Sequence, residues 1–266
     1  MTNSADQLSV LLRTLKLPSF KAQYEDVARH AEREGWTFAR YLMQLAEAEI
    51  EDRKARRIER LLRQSGLPKE KTLATLDQKR LPTTVRRQLP TLCEGGFVQR
   101  AENVLAFGLP GRGKTHCLAA IGHELVQRGY EVLFRPAFAV VQRLLAAKRD
   151  LSLEKELRRL DRYQVVILDD IGYVQQDREE MEVLFTLLAE RYERRSVMIT
   201  SNLVFSQWDQ VFKDAMTTAA AIDRVVHHSV ILELTGDSFR SEVALKRNAK
   251  GATTKVDKSC GASTSG

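Results

Sequence analysis

Gly108, Gly111, Arg112, Gly113, Lys114 and Thr115 fall in the string Gly108-Leu-Pro-Gly-Arg-Gly-Lys-Thr115, a complete GxxxxGK[ST] pattern. Glycines at this spacing let the backbone close around phosphate groups. The amides that open the next helix point at the anion, and the helix dipole adds to the attraction. Lys114 is then the fixed cation for β- and γ-phosphates, and Thr115 offers its hydroxyl to Mg2+. A second group of acids follows an apolar run in Val165-Val-Ile-Leu-Asp169-Asp170. Acids at the C-terminal end of a buried strand lie where open α/β sheets bind ligands. Asp169 would hold Mg2+, directly or through water, and Asp170 would orient or deprotonate an attacking water. An Asp pair can also cap a turn, but a full phosphate loop upstream favours the metal site. A third run, Val197-Met-Ile-Thr-Ser-Asn202, ends in polar residues. If its strand lies beside that of Asp169, Asn202 can contact the γ-phosphate or the water. Two arginines, Arg224 and Arg240, follow downstream. A fixed guanidinium stabilises γ-phosphate charge, in cis or from a neighbouring subunit.

These residues need a sheet to carry them. Short apolar runs occur at Asn103–Phe107, Val132–Arg135, Val165–Leu168, Val197–Thr200 and Ser229–Leu234, with helical patterns between most of them. Strands alternating with helices predict a largely parallel sheet flanked by helices, an α/β class. Upstream, residues 5 to about 64 read as helical. Leu8, Leu11, Leu12 and Leu15 recur at helix spacing until Pro18. A second helix is expected from about Phe20 to Arg33. Thr37 can cap a third, from Phe38 to about Gln64, with apolar positions at Tyr41, Leu42, Leu45, Ile50, Ile58, Leu61 and Leu62. The expected organisation is a small all-helical domain over 1–66, a connector with short helical pieces over 67–100, an ATPase-type domain over 101–248 and a disordered polar tail over 249–266.

The chain has 266 residues, a length that buries a sizeable core without cross-links. Cys93, Cys117 and Cys260 are far apart and match no metal spacing, which fits a reducing compartment. The first 21 residues lack a signal-peptide pattern, and no window approaches 18 apolar residues. A cytoplasmic protein with no membrane partner is expected. The charge is lopsided: residues 1–100 hold 19 Lys/Arg against 13 Asp/Glu, and residues 101–266 hold 23 against 22. A basic surplus confined to one part is expected if that part meets a polyanion. Arg53, Arg56, Arg57, Arg60 and Arg63 form one broad helical stripe that could follow a DNA backbone without reading bases. Glu49–Arg53, Asp52–Arg56 and Glu59–Arg63 are also acid–base pairs four apart, as on any solvated helix.

Together these motifs resemble an AAA+ ATPase of the helicase-loader branch, and more closely the IstB family of insertion-sequence ATP-binding proteins. The strings that carry the resemblance include Gly113-Lys-Thr-His116, Leu168-Asp-Asp-Ile-Gly-Tyr173, Arg191-Tyr-Glu193, Thr200-Ser-Asn202, Asp223-Arg-Val-Val-His-His228 and Gly236-Asp-Ser-Phe-Arg240. The N-terminal part contributes Leu15-Lys-Leu17, Ala46-Glu-Ala-Glu-Ile-Glu-Asp-Arg53 and Gly66-Leu-Pro68, so the likeness spans about residues 8–245. It implies a P-loop AAA+ fold and a protein that binds ATP with Mg2+, forms a homo-oligomer on duplex DNA and hands it to a partner transposase. By resemblance Gly108, Gly111, Arg112, Gly113, Lys114, Thr115 and His116 hold the nucleotide, and Asp169 and Asp170 are the acidic pair. Asn202 matches a strand-end sensor. Arg224 matches an arginine finger for the neighbour's ATP, and Arg240 a late sensor for its own. AAA+ proteins usually carry Glu where this chain has Asp170. Asp is one methylene shorter, which argues against fast basal hydrolysis.

Two other readings compete. A loader of the replicative helicase shares the ATPase half, but the N-terminal helices favour transposition. A small-molecule phosphotransferase would leave the basic helices and the oligomer-type arginine without a role.

Overall fold

The computed structural model describes residues 4–173, 178–202 and 225–235. The chain divides into two units, Met1–Leu61 and Leu62–Gly266. The first holds α1 (Ser4–Thr14), α2 (Pro18–Arg33) and most of α3 (Phe38–Ser65). Pro18, which ends the leucine pattern of α1, opens α2 from its first turn, where a missing N–H costs nothing. Thr37 caps α3: its Oγ1 accepts the Arg40 N–H at 3.3 Å.

The apolar positions of these helices are buried only in part. Of the leucines at 8, 11, 12 and 15 only Leu12 is buried; Leu11 of α1 and Leu15 just after it stay 59% and 64% exposed. On α3, Leu45 is buried but Leu42 and Ile50 are exposed. Glu49 takes the inward position instead. Its Oε2 accepts the Ser19 N–H at 2.8 Å, and the Ser19 hydroxyl donates to Asp52. A unit of this length buries only a small core, so a carboxylate that caps α2 can displace leucines from it.

The second unit is a five-stranded parallel sheet flanked by helices. Its strands are β1 (Asn103–Phe107), β2 (Val132–Pro136), β3 (Val165–Asp169), β4 (Ser196–Ser201) and β5 (Ser229–Glu233), in the spatial order β2-β3-β4-β1-β5. Each of the five predicted strands is present within a residue or two. Registers such as Val104↔Met198 and Leu168↔Ile199 put the strand ends level. All of β1 and β4 is buried, the expected outcome for continuous apolar runs under helices on both faces. The intervening helices are α6 (Lys114–Gln127), α7 (Ala137–Arg149), α8 (Leu153–Asp161) and α9 (Arg178–Arg191). Leu105, Leu133, Val141, Leu144, Leu184 and Ile199 belong to one core cluster.

Residues 67–100 contain α4 (Thr83–Glu94) and α5 (Gly96–Gln99). Leu67, Leu76, Leu81, Val85, Leu89 and Phe97 are all buried, and α4 packs on α6. Two polar side chains fix the sheet ends. The Asn103 amide donates to Val225 O and its Oδ1 accepts the Val197 N–H, tying β1 to β4 and to the turn before β5. Arg191, 1% exposed, donates to Leu160 O at 3.1 Å, Tyr163 O at 2.9 Å and Ser196 O at 3.0 Å. Burial lowers its pKa to about 10 against the opposing pull of Asp161, so it remains a cation at neutral pH. Cys93 and Cys117 are free and buried, and burial pushes their thiols up to about 11 and about 12. No helix among the described residues is long and apolar enough to cross a membrane. The expected tail over 249–266, with Cys260, lies outside the described residues.

Candidate active site

The chain leaves β1 at Phe107 and enters α6 at Lys114 through a loop in which Gly108, Gly111 and Gly113 all have positive φ. At Gly108 this conformation (φ 146°) goes with a close approach: a Cβ there would lie 2.4 Å from Leu234 O, just past β5. Only glycine fits. Lys114 is buried, and its Nζ donates to Gly108 O at 2.6 Å and Leu109 O at 2.9 Å. The ammonium is thus held inside the loop, on backbone carbonyls that a phosphate could replace with stronger, charge-assisted bonds. Arg112 Nε is buried without a hydrogen-bond partner among the described residues.

Parallel register puts the C-terminal ends of β3 and β4 beside each other. Thr200 Oγ1 donates to Asp169 Oδ1 at 2.7 Å and accepts the Asp170 N–H at 2.7 Å. Asn202 Nδ2 donates to Asp170 Oδ1 at 2.8 Å. Asp170 has φ 61°, in the left-handed region that Asp tolerates better than most residues. A cavity of about 270 Å³ joins these groups: Lys114 and Thr115 line one side, and Asp170, Thr200 and Asn202 another. A trapped cation and a hydroxyl share the cavity with the Asp170 carboxylate and an amide, and Asp169 lies behind Thr200, all hard oxygen or nitrogen groups. This set suits a phosphate ester with a magnesium ion on Thr115 and Asp169. Among the described residues no group of three or more His, Cys, Asp or Glu could hold a metal by itself.

The sequence model of the IstB-like ATP binding protein family matches residues 10–247. The chain belongs to that family. A Sinorhizobium fredii protein named for an insertion sequence and for ATP binding is 42% identical over 262 residues, covering 95% of this chain and 88% of its own. The IS21 ATP-binding protein of Pseudomonas aeruginosa is 37% identical over 234 residues, covering 88% of each chain. Among solved structures, DnaI aligns with a TM-score of 0.54 at 21% identity, over 64% of this chain and 95% of its own. AMPPCP-bound DnaA from Aquifex aeolicus aligns with a TM-score of 0.51 at 17% identity, over 70% and 56%. These are likenesses of fold, and the fold is that of the P-loop AAA+ class.

In this IstB-like chain Gly111, Gly113, Lys114, Thr115, His116, Asp170 and Asn202 line the same cavity, and Asp169 reaches it through Thr200. Gly108 and Arg112 belong to the same loop. Arg224 and Arg240 lie outside the described residues. All five arginines of α3 are exposed, and two of them also bond to neighbouring groups of the fold. Arg53 Nε donates to Glu49 at 2.8 Å and its Nη2 to Lys16 O at 2.7 Å; Arg56 reaches Asp52 O at 3.1 Å and Glu49 at 3.5 Å. Burial would raise the Glu49 pKa, but the hydrogen bonds from Arg53 and Ser19 outweigh it and hold the carboxyl below the usual glutamate value. Arg53 and Arg56 therefore help to fix α3 against its neighbours. Their side chains remain half exposed, and Arg57, Arg60 and Arg63 are exposed along the same helix.

Four residues of the stretch read as a connector, Lys71, Thr75, Leu76 and Asp77, also line the cavity. This wall is fastened to α6 by two histidines two turns apart. His116 Nε2 lies 3.1 Å from both Thr72 O and Thr75 Oγ1, and His123 Nε2 lies 3.0 Å from Pro68 O. The seven-residue spacing of the histidines was visible in the sequence; the backbone carbonyls they meet were not.

Proposed function

We propose that this chain is an ATP-dependent, DNA-binding transposition helper of the cytoplasm. It binds and slowly hydrolyses ATP with Mg2+, assembles with copies of itself on duplex DNA and recruits or activates a partner transposase. One observation carries the nucleotide part: Lys114 and Thr115 share a cavity with Asp170, Thr200 and Asn202, the ends of two neighbouring strands. Lys114 and the loop amides bind the phosphates. Thr115 and Asp169 would hold the metal, which when bound would draw charge from the phosphates. Asp170, steadied by Asn202, orients the water and takes its proton. The Asn202 bond occupies one oxygen of a short carboxylate, which supports a slow basal rate. Arg224 from a neighbour and Arg240 of the same subunit supply the remaining positive charge. Relatives named for insertion sequences, at 42% and 37% identity, support the transposition role. The helicase-loader alternative has only fold likeness behind it, and fold does not fix function.

The exposed arginines of α3, Arg53, Arg56, Arg57, Arg60 and Arg63, support DNA contact by this helix. The test is ATP binding and turnover, with and without duplex DNA, by the wild type and Lys114→Ala. The wild type binds ATP and turns over faster on DNA, while Lys114→Ala binds no nucleotide. Micromolar ATP binding by the mutant would remove this loop from the reading.

A further inference from the structure

We propose that Thr200 is the positioning residue for both acids of the site, one hydroxyl that sets the direction of Asp169 and the backbone of Asp170. The inference rests on the reading of this cavity as a Mg·ATP site. A hydroxyl has one proton to give, and Thr200 gives it to Asp169 Oδ1 at 2.7 Å. Its lone pair accepts the Asp170 N–H, also at 2.7 Å. The two bonds run to consecutive residues, so the peptide between the acids is gripped from one point. That grip meets Asp170 where its backbone turns left-handed, at φ 61°. Holding the amide in this turn leaves the Asp170 carboxylate where Asn202 meets it, at 2.8 Å. Asp169, with one oxygen engaged, keeps the other oxygen for a metal.

The strand pairing fixes the hydroxyl in turn. Thr200 pairs with Ala106 of β1, and Ile199 pairs with Leu168 of β3, so Thr200 stands level with Asp169. Thr200 is 1% exposed, so its hydroxyl is held among protein groups rather than in bulk water. Branching at Cβ limits its χ1. Asn202 touches one acid, whereas Thr200 touches both. A groove-lining threonine with a purely packing role would not need both bonds.

Thr200→Val keeps the shape and removes the hydroxyl; Thr200→Ser keeps the hydroxyl and removes the methyl. Three quantities separate positioning from packing: affinity for a fluorescent ATP derivative without metal, Mn2+ affinity of the protein–nucleotide complex by electron paramagnetic resonance, and kcat. Groups that orient a metal ligand typically change metal affinity or activity by about 10–100-fold when removed. Thr200→Val is expected to bind metal-free nucleotide within about twofold of wild type, yet to lose about tenfold or more in both Mn2+ affinity and kcat. Thr200→Ser is expected to restore both to within about threefold. Should Thr200→Val fold poorly, Thr200→Ala carries the same expectation without a methyl set against Asp169. Wild-type Mn2+ affinity and kcat in Thr200→Val, even with a lowered Tm, would overturn the proposal. Equal losses in the serine and valine variants would overturn it as well, because the methyl would then be what matters. If the wild type binds nucleotide and Mn2+ but never hydrolyses ATP, the hydrolysis reading falls. The Mn2+ comparison of Thr200→Val with Thr200→Ser still decides the role of Thr200.

Discussion

Replacing Gly108 by alanine tests whether the loop geometry is imposed from outside the loop. A Cβ at this position meets Leu234 O at 2.4 Å and the Leu234 carbonyl carbon at 3.2 Å. Both are backbone atoms at the end of β5, so no side chain can swing aside. Normal contact requires a shift of roughly 1 Å, and forcing extra carbon into packed structure costs about 1–3 kcal/mol. The backbone adds a second cost, because φ 146° is a glycine conformation worth of order 1–3 kcal/mol in any other residue. The expected loss is about 2–6 kcal/mol, or a fall in Tm of roughly 5–20 °C for a unit of this size. Gly129→Ala is the internal control: φ is 89° there, but nothing lies within 4 Å of the added carbon. It should lose only about 1–2 kcal/mol. Thermal unfolding followed by circular dichroism, with ATP affinity measured on the same samples, compares the two. If Gly108→Ala is no less stable than Gly129→Ala and binds ATP normally, the contact with Leu234 does not shape the loop and the reasoning fails.

Three further outcomes are expected. Arg57→Ala with Arg60→Ala should weaken duplex binding and reduce the log–log salt slope by about 0.9 for each phosphate no longer neutralised; an unchanged slope would assign both residues to solvent or a protein partner. Arg191→Met removes the buried donor shared by Leu160 O, Tyr163 O and Ser196 O and should destabilise the second unit by about 3 kcal/mol or more, read as a Tm lower by roughly 6–12 °C; a change under about 2 °C would contradict the structural role. Arg224→Ala should bind ATP yet hydrolyse it poorly, and mixing it with Lys114→Ala should recover activity at interfaces that join an intact loop to an intact arginine. No recovery in assemblies shown to contain both variants would refute a role in trans.

The strands were legible because each is a short apolar run bounded by polar residues, and a parallel sheet under two helical layers demands such runs. The phosphate loop was legible because its glycines answer to local backbone geometry. Thr200 was not. Its string reads as a polar strand end, and its importance depends on which strand lies alongside and in what register, a relation spread over about thirty residues of chain. The spacing of α3 told only part of its burial for a related reason. Leu42 and Ile50 share the helical apolar spacing of buried Leu45 and Leu61 yet stay exposed, while Glu49 is buried through a partner, Ser19, on another helix. The lining role of Lys71, Thr75 and Asp77 left no local mark either, since it arises from two histidines that reach across to backbone carbonyls.

The strand order has a consequence for how this protein is made. β1 leaves the ribosome early, but both of its neighbours come late: Val104 pairs with Met198 on one side and Val230 on the other. At 5–20 residues per second, roughly 6–25 s separate the synthesis of Val104 from that of Val230. Throughout that interval Val104-Leu-Ala-Phe107 is an apolar segment with at least one bare edge on a growing chain, the kind of species that aggregates or engages a chaperone. The strand that leads into the phosphate loop must therefore wait longest for its pairing. Pairings so distant along the chain also predict slow refolding of the isolated protein, in the range of high-contact-order domains.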